Sequence, residues 1–504
     1  MSTLKHLIMA VLAAFAFTSP AFTQDAGESK SSGPEAGEPA RFESTGKVTV
    51  NGRTINYDVI AGETFLLDDK DQPNAAIFSF SYIKKDVQDP TTRPVVFIFN
   101  GGPGSASLWL HMGVFGPKRV DVATDGPTDD GAPPYPVIDN AYSLIDVADL
   151  VFIDPVGTGY SRVLEDGKGS EHWGVEQDAR SVGTFIRIWL TENKRWNSPK
   201  YLAGESYGTT RAAALVAELN DRYNDVAFNG IILVSAILDF EGNRGSYGVI
   251  GLMPTQAAIA WYHGKVDKTK WNNDFDLFIE DSRQFAVREL GPALMMGQGM
   301  PADEYRQIVQ RYAEFTGLSP TYIERARLRV GVGRFMKEFL RDQGLTVGRY
   351  DGRYTGRDED DVGEYADADP SGYAMDAAFT AAMNDYMTRW LDVDMSRDYE
   401  VLSYDVNMGW QSLTGGGSGG PGYTNVVPGL ARGMRENKDM RVLLASGYYD
   451  QATPFFAAEL SLQAHGVPQD RIVKTYYPAG HMMYLDTGSL EQLAIDVRAF
   501  IQGQ

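Results

Sequence analysis

The sequence predicts an α/β fold in which a mostly parallel, doubly wound sheet carries one long, mainly helical insertion. Three observations lead there. Short continuous apolar runs, such as Val95 to Phe99, Leu150 to Ile153 and Ile231 to Val234, read as strands buried on both faces. Stretches with helical spacing alternate with them, at residues 173–190 and 209–219 among others. Between about 245 and 400 that alternation stops, and the chain becomes charged and helical only where it is periodic.

Taken in order, Lys5 and the apolar run Leu7 to Phe17 form the n- and h-regions of a signal peptide, with small residues and cleavage near Thr23. An N-terminal anchor helix is the alternative reading. Residues 24–42 are rich in Gly, Glu, Ser and Pro and read as a disordered linker. Gly46 to Val50 and Thr54 to Ile60 flank Asn51-Gly52-Arg53, a hairpin signal, and Asn74 to Tyr82 is a further strand. After the apolar strands already named come Tyr201 to Ala203, Val442 to Leu444 and Ile472-Val473, and residues 488–502 form a closing helix. Within the insertion, Glu324 to Leu340 and Ala377 to Leu391 are the periodic helices. The acidic run Asp358 to Asp361 lacks the ordered spacing of a calcium loop and reads as a solvated loop. Gly415 to Gly420 has no Lys to hold phosphate and reads as a flexible loop.

Composition removes several classes of function. The 504 residues carry a formal charge of −21, which disfavours nucleic acid and anionic lipid as partners. There is no cysteine, so disulfides, cysteine nucleophiles and cysteine metal sites are excluded. Beyond the leader no apolar run is long enough to span a bilayer, so no stable membrane insertion is expected. No metal or cofactor is called for.

Gly204-Glu205-Ser206-Tyr207-Gly208 fits G-x-S-x-G between a short strand and a helix former. That form projects a serine hydroxyl above a sheet on a sharp strand-to-helix turn. With 53 glycines in the chain the pentapeptide alone is weak, so its weight rests on partners. A serine at neutral pH needs a base. In this architecture the acid and then the histidine follow the serine in the chain. Of six histidines, His6, His111 and His172 come too early, His263 follows no strand, and His465 ends a helix-like stretch. His481 lies in a loop off the strand Arg471 to Tyr477 and is taken as the base. Asp450, off the preceding strand, is the acid that would orient it, with Asp239 as the rival. Asn100 to Ser105, after the strand 95–99, places a Gly pair where backbone N–H groups can face an oxyanion.

The segments Asn100 to Ser107 (NGGPGSAS), Phe152 to Ser161 (FIDPVGTGYS), Gly204 to Gly208 (GESYG), Asp450 and Gly480-His481-Met482 together resemble the serine carboxypeptidase family, in a bacterial secreted form. The likeness runs over about 90–490. It implies an α/β-hydrolase fold, with a core in two parts, 43–244 and 401–504, and a cap insertion over 245–400. It also implies roles. Gly102 and Tyr207 would donate backbone N–H groups to the oxyanion. Asn100, Gly101 and Glu205 would bind the substrate's C-terminal carboxylate. A carboxyl beside a carboxylate stays protonated, so an acidic optimum is expected. The chain departs from the family at Ile98, where a Trp is frequent, and in lacking cysteine.

The function implied is hydrolysis of the C-terminal peptide bond of peptides with a free C-terminus, in a secreted or periplasmic protein. An esterase or acyltransferase with the same machinery is the alternative, and an inactive binding protein on the same scaffold is a third reading. Oligomeric state and side-chain preference are not encoded in any of these motifs.

Overall fold

The structure, a computed structural model, describes residues 37–128, 131–220, 225–240, 244–412 and 423–503. The expected leader 1–23, most of the linker and the Gly415–Gly420 loop fall outside the described residues. The last two linker residues, Arg41 and Phe42, already belong to the first strand.

Nine strands follow one another across the main sheet. They are β1 Arg41–Val50, β2 Arg53–Leu67, β3 Pro73–Lys84, β4 Val95–Phe99, β5 Asp149–Ile153, β6 Lys200–Glu205, β7 Gly230–Val234, β8 Arg441–Gly447 and β9 Ile472–Tyr477. Their order is β1-β2-β3-β5-β4-β6-β7-β8-β9, with a two-residue strand, Arg162–Val163, also on β3. The first three strands form an antiparallel meander. Asn51 and Gly52 both have positive φ, 50° and 73°, as a two-residue type I′ hairpin requires. From β5 to β9 every pairing along the path is parallel.

The apolar strands alternate between two cores, one on each face of the sheet. Val96, Ile98, Leu150, Phe152, Ile232 and Val234 enter one cluster. Val95, Phe97, Phe99, Val151, Ile153, Ile231 and Leu233 enter the other. This period of two explains why these strands read as unbroken apolar runs.

The longer helices are α1 Val175–Glu192, α2 Tyr207–Glu218, α3 Gly245–Tyr262, α4 Phe275–Phe285, α5 Ala302–Thr316, α6 Asp376–Trp390, α7 Val427–Glu436, α8 Phe455–Leu462 and α9 Thr487–Gln502. Helices α1, α2 and α7 cover one face of the sheet. Helices α6 and α9 cover the other. Helices α3, α4 and α5 surround a third cluster of their own, which reaches to Val347 and takes in Phe455 and Phe456 of α8.

The insertion expected over 245–400 therefore divides. Residues 245–347 pack as a separate unit, whereas α6 buries Ala378, Phe379, Ala382 and Met383 in the main core. Helical periodicity reports that a face is buried, and is silent on which core buries it. The single helix expected over Glu324 to Leu340 is two short ones, Pro320–Arg325 and Val332–Glu338. Arg327 and Leu328 between them have φ of 52° and 63°, which no α-helix tolerates. The acidic run is not a solvated loop throughout. Asp358 pairs with Lys337 at 2.6 Å, both side chains being buried. Lys337 also donates to the Asp360 carbonyl, and Arg341 to that of Asp361.

If α6 belongs to the main core, Phe379→Ala will lower the unfolding free energy of the whole protein by about 3–5 kcal/mol. Urea unfolding followed by tryptophan fluorescence measures this, and a loss under 1 kcal/mol would return α6 to the insertion.

Candidate active site

Strand β6 ends at Glu205 and α2 begins at Tyr207, leaving Ser206 on the turn with φ 59° and ψ −127°. A non-glycine residue there is strained, by roughly 1–3 kcal/mol, and needs its surroundings to hold it. The Ser206 N–H donates to the Val234 carbonyl at the end of β7, at 3.0 Å. A Cβ on Gly204 would run into the Gly208 carbonyl, so only glycine permits so tight a turn. Tyr207 opens α2, and its N–H is among those a helix leaves without an intrahelical partner.

Parallel pairing of β8 and β9 brings their C-terminal loops together, and with them Asp450 and His481. His481 Nδ1 donates to Asp450 Oδ2 at 2.8 Å, and both residues are buried. The Asp450 carboxylate also accepts from the Ala452 and Thr453 N–H groups at 2.8 and 3.0 Å, and from the Thr453 hydroxyl at 2.6 Å. Burial alone would raise the Asp450 carboxyl, but the charge of His481 and these hydrogen bonds hold it below its ordinary value. Burial would likewise lower His481, yet the Asp450 charge and hydrogen bond, helped by Glu205, carry the imidazole above its usual pKa. A carboxylate so placed fixes the tautomer, leaving Nε2 to take a proton.

Neighbouring residues anchor the serine and the histidine. Val234 accepts from the Ser206 N–H, and the adjacent Ser235 hydroxyl donates to the His481 carbonyl at 2.6 Å. The segment 348–353 ties down the opposite side. The His481 N–H donates to Tyr350 O at 2.6 Å, and the Gln451 N–H to Arg349 O at 3.0 Å. Gln451 Nε2 reaches Gly348 O at 2.8 Å, and the Gly352 N–H reaches Tyr449 O at 2.9 Å. Arg353 donates to Pro478 O at 2.7 Å while paired with Asp351 at 2.7 Å and Asp486 at 3.3 Å. Both loops thus rest on one short stretch of chain. None of these ties was read from sequence, because the partners of Arg353 lie as far as 133 residues away.

Asn100 follows β4 and faces Glu205. Its Oδ1 accepts the Leu110 N–H at 3.1 Å, which turns Nδ2 toward the Glu205 carboxyl, where it donates to Oε2. Arg211, buried and paired with Asp178 at 2.6 Å, donates to the Asn100 carbonyl at 2.6 Å and fixes the loop from below. Gly101 lies against Tyr207 so closely that a Cβ would meet its backbone nitrogen. Gly102 follows with φ 98°. The Tyr484 hydroxyl, absent from the sequence reading, donates to Glu205 at 2.9 and 3.1 Å. Glu205 is buried, and its pKa is pushed up to about 7, chiefly by desolvation. The charge of His481 and the hydrogen bonds from Tyr484 and Asn100 work against that rise.

The remaining candidates lie elsewhere. Asp239 accepts from the Asn425 side chain at 2.9 Å, and Asp450 is the acid on His481. His111 is stacked on Phe152 in the core, His172 bonds to Ser181, and His263 bonds to the Gly352 carbonyl. Ile98 is a core residue in the same cluster as Tyr484. Among the described residues no group of three or more His, Asp or Glu side chains is arranged to hold a metal, and no helix is long and apolar enough to cross a membrane.

A mostly parallel sheet in this strand order, with a serine on the turn after its central strand and an acid and a histidine on later strand ends, is the α/β-hydrolase fold. A solved prohormone-processing carboxypeptidase from Saccharomyces cerevisiae shares the fold, with a TM-score of 0.53 at 15% identity over 88% of this chain and 90% of that one. The serine carboxypeptidase family profile matches residues 65–302. Serine carboxypeptidase-like 16 of Arabidopsis thaliana is 28% identical over 180 residues, and serine carboxypeptidase-like 36 of the same plant is 30% identical over 171. Each match covers 33% of this chain, and the chain spans 38% and 33% of those two relatives. Over residues 65–302 the chain is thus similar to the serine carboxypeptidase family.

A buried acid with a raised pKa favours folding most when protonated. That contribution is complete below about 4.5 and is lost as pH climbs to about 7. Glu205→Gln does not titrate, so its stability relative to the natural protein will rise across this window, by on the order of 3 kcal/mol. Urea unfolding at both ends of the window measures it, and a difference independent of pH would show that Glu205 titrates normally.

Proposed function

We propose that the protein is a serine carboxypeptidase that removes single residues from the free C-terminus of peptides through an acyl-enzyme on Ser206. The observation that carries this reading is Glu205. A buried carboxyl next to a nucleophilic serine, backed by an amide, suits a ligand that brings a carboxylate and not one that brings a cation. Protonated Glu205 donates one hydrogen bond to the terminal carboxylate. The second Asn100 amide hydrogen and the Gly101 N–H add two more.

With the terminus held, the last peptide bond lies over Ser206. The hydroxyl oxygen attacks the carbonyl carbon as His481 Nε2 takes its proton, and Asp450 stabilises the imidazolium. The N–H groups of Gly102 and Tyr207 receive the oxyanion. The C–N bond breaks as His481 returns the proton to the leaving amine. Water, deprotonated by His481, then cleaves the ester and restores the serine. The leader-like start of the sequence supports export, so the working compartment is extracellular or periplasmic.

Two groups set the pH dependence. His481 must be neutral to accept the serine proton, so activity falls at low pH. Glu205 must be protonated, so kcat/KM on free peptides will fall as pH rises through about 7. Time-resolved mass analysis of a peptide mixture tests the whole reading. Single residues should leave peptides with free C-termini and not their amides, and Ser206→Ala should slow release by about a thousandfold or more. Equal turnover of free and amidated peptides, or turnover of esters alone, would point to an esterase or acyltransferase.

A further inference from the structure

The carboxypeptidase reading needs a proton on Glu205 and leaves open which oxygen carries it. The surroundings of the carboxyl are not symmetric. Oε2 accepts from Asn100 Nδ2 and, at 2.9 Å, from the Tyr484 hydroxyl. Among the described residues, Oε1 is met only by the longer arm of that same hydroxyl, at 3.1 Å. In a neutral carboxyl one oxygen is a good acceptor and the other carries the hydrogen. Two donors on Oε2 make it the accepting oxygen and leave the hydrogen on Oε1. The Asn100 amide cannot turn over to reverse this, because its own oxygen is engaged by the Leu110 N–H.

We propose that Tyr484 is a positioning residue that fixes the Glu205 proton on Oε1, the oxygen offered to the substrate's C-terminal carboxylate. The fold gives the tyrosine one place to be. Its ring is buried in the main core between α6, where Phe379 lies 6.4 Å away, and the helical turn at His111–Phe115. A Cβ on Gly113 would overlap the ring edge, so the absence of a side chain there forms the notch that admits it. The titratable groups facing Glu205 are His481, Asp450 and Tyr484. Of these, Tyr484 shares two contacts with the carboxyl and is itself held neutral by burial, its pKa lying well above the ordinary value.

Two effects separate this role from simple packing. Removing the hydroxyl leaves Asn100 as the one donor on Oε2, which weakens the preference for a proton on Oε1 and with it the binding of a free terminus. It also takes a donor from the ionised form, so Glu205 ionises at higher pH. The readout is the ratio of kcat/KM for a peptide with a free C-terminus to that for its amide, followed with pH. Because both substrates use His481, its titration cancels in the ratio.

In Tyr484→Phe the ratio should drop at acidic pH by roughly three- to tenfold, carried by KM, and its midpoint should move to higher pH. Gly113→Ala, which crowds the ring out of its notch, should change the ratio in the same direction. If Gly113→Ala does not fold, Tyr484→Phe decides alone, since it keeps the ring. A Tyr484→Phe protein whose ratio and midpoint match the natural protein overturns the proposal and leaves the carboxypeptidase reading standing. A natural protein that does not distinguish free from amidated peptides removes both.

Discussion

The whole site depends on backbone packed against backbone, where the end of β4 meets the turn between β6 and α2. Gly101 touches the Tyr207 nitrogen, and Gly204 touches Gly208, at distances that exclude any side chain. That contact sets Asn100 beside Glu205 and holds Ser206 in its strained conformation between them. Strain at one residue persists only where neighbours over-determine it. Here Val234 holds the serine from the next strand, and Arg211 holds the Asn100 carbonyl from beneath. Arg211 is itself fixed by Asp178, with which it forms a buried ion pair.

The acid and the histidine have a different foundation. Their loops leave β8 and β9, but residues 348–353, which follow the helical insertion, hold both in place. Arg353 spans Asp351, Asp486 and the Pro478 carbonyl, so the His481 loop cannot shift without breaking the Arg353 bond to Pro478 O or its pairing with Asp486. The insertion is latched to the core a second time through Arg283 on α4, which pairs with Glu459 on α8 at 2.8 Å while Tyr476 of β9 donates to the same carboxylate at 3.0 Å. A chain without disulfides thereby joins its helical unit to its sheet by packing and by buried charge.

Sequence carries the sheet well, because each central strand is apolar on both faces and each is bounded by turn residues. It also carries the order of serine, acid and histidine, because few histidines compete and Ser206, Asp450 and His481 each follow a strand. It carries little of what depends on distant pairing. Tyr484 reaches Glu205 across 279 positions, and nothing in Met483-Tyr484-Leu485 distinguishes that tyrosine from a packing residue. The same holds for α6, whose periodicity fits the insertion and the core equally, and for Lys337, whose buried partner lies in an acidic run that looks solvated. The break at Arg327 and Leu328 is invisible to hydrophobic spacing, since two left-handed residues need no glycine when the chain around them is held.

Glu205 joins the two halves of the account. It sits on the strand that presents the serine, and it feels the charges of His481 and Asp450. Its burial gives the site a neutral acid beside the serine, which is what the proposed carboxypeptidase reading asks of it. The direct test is infrared difference spectroscopy of the carboxyl region across pH, with Glu205→Gln assigning the band. The account predicts a protonated carboxyl band, absent from Glu205→Gln, that persists through the ordinary carboxylate range and disappears near pH 7. A Glu205 that ionises near its ordinary value of 4.5 would contradict it.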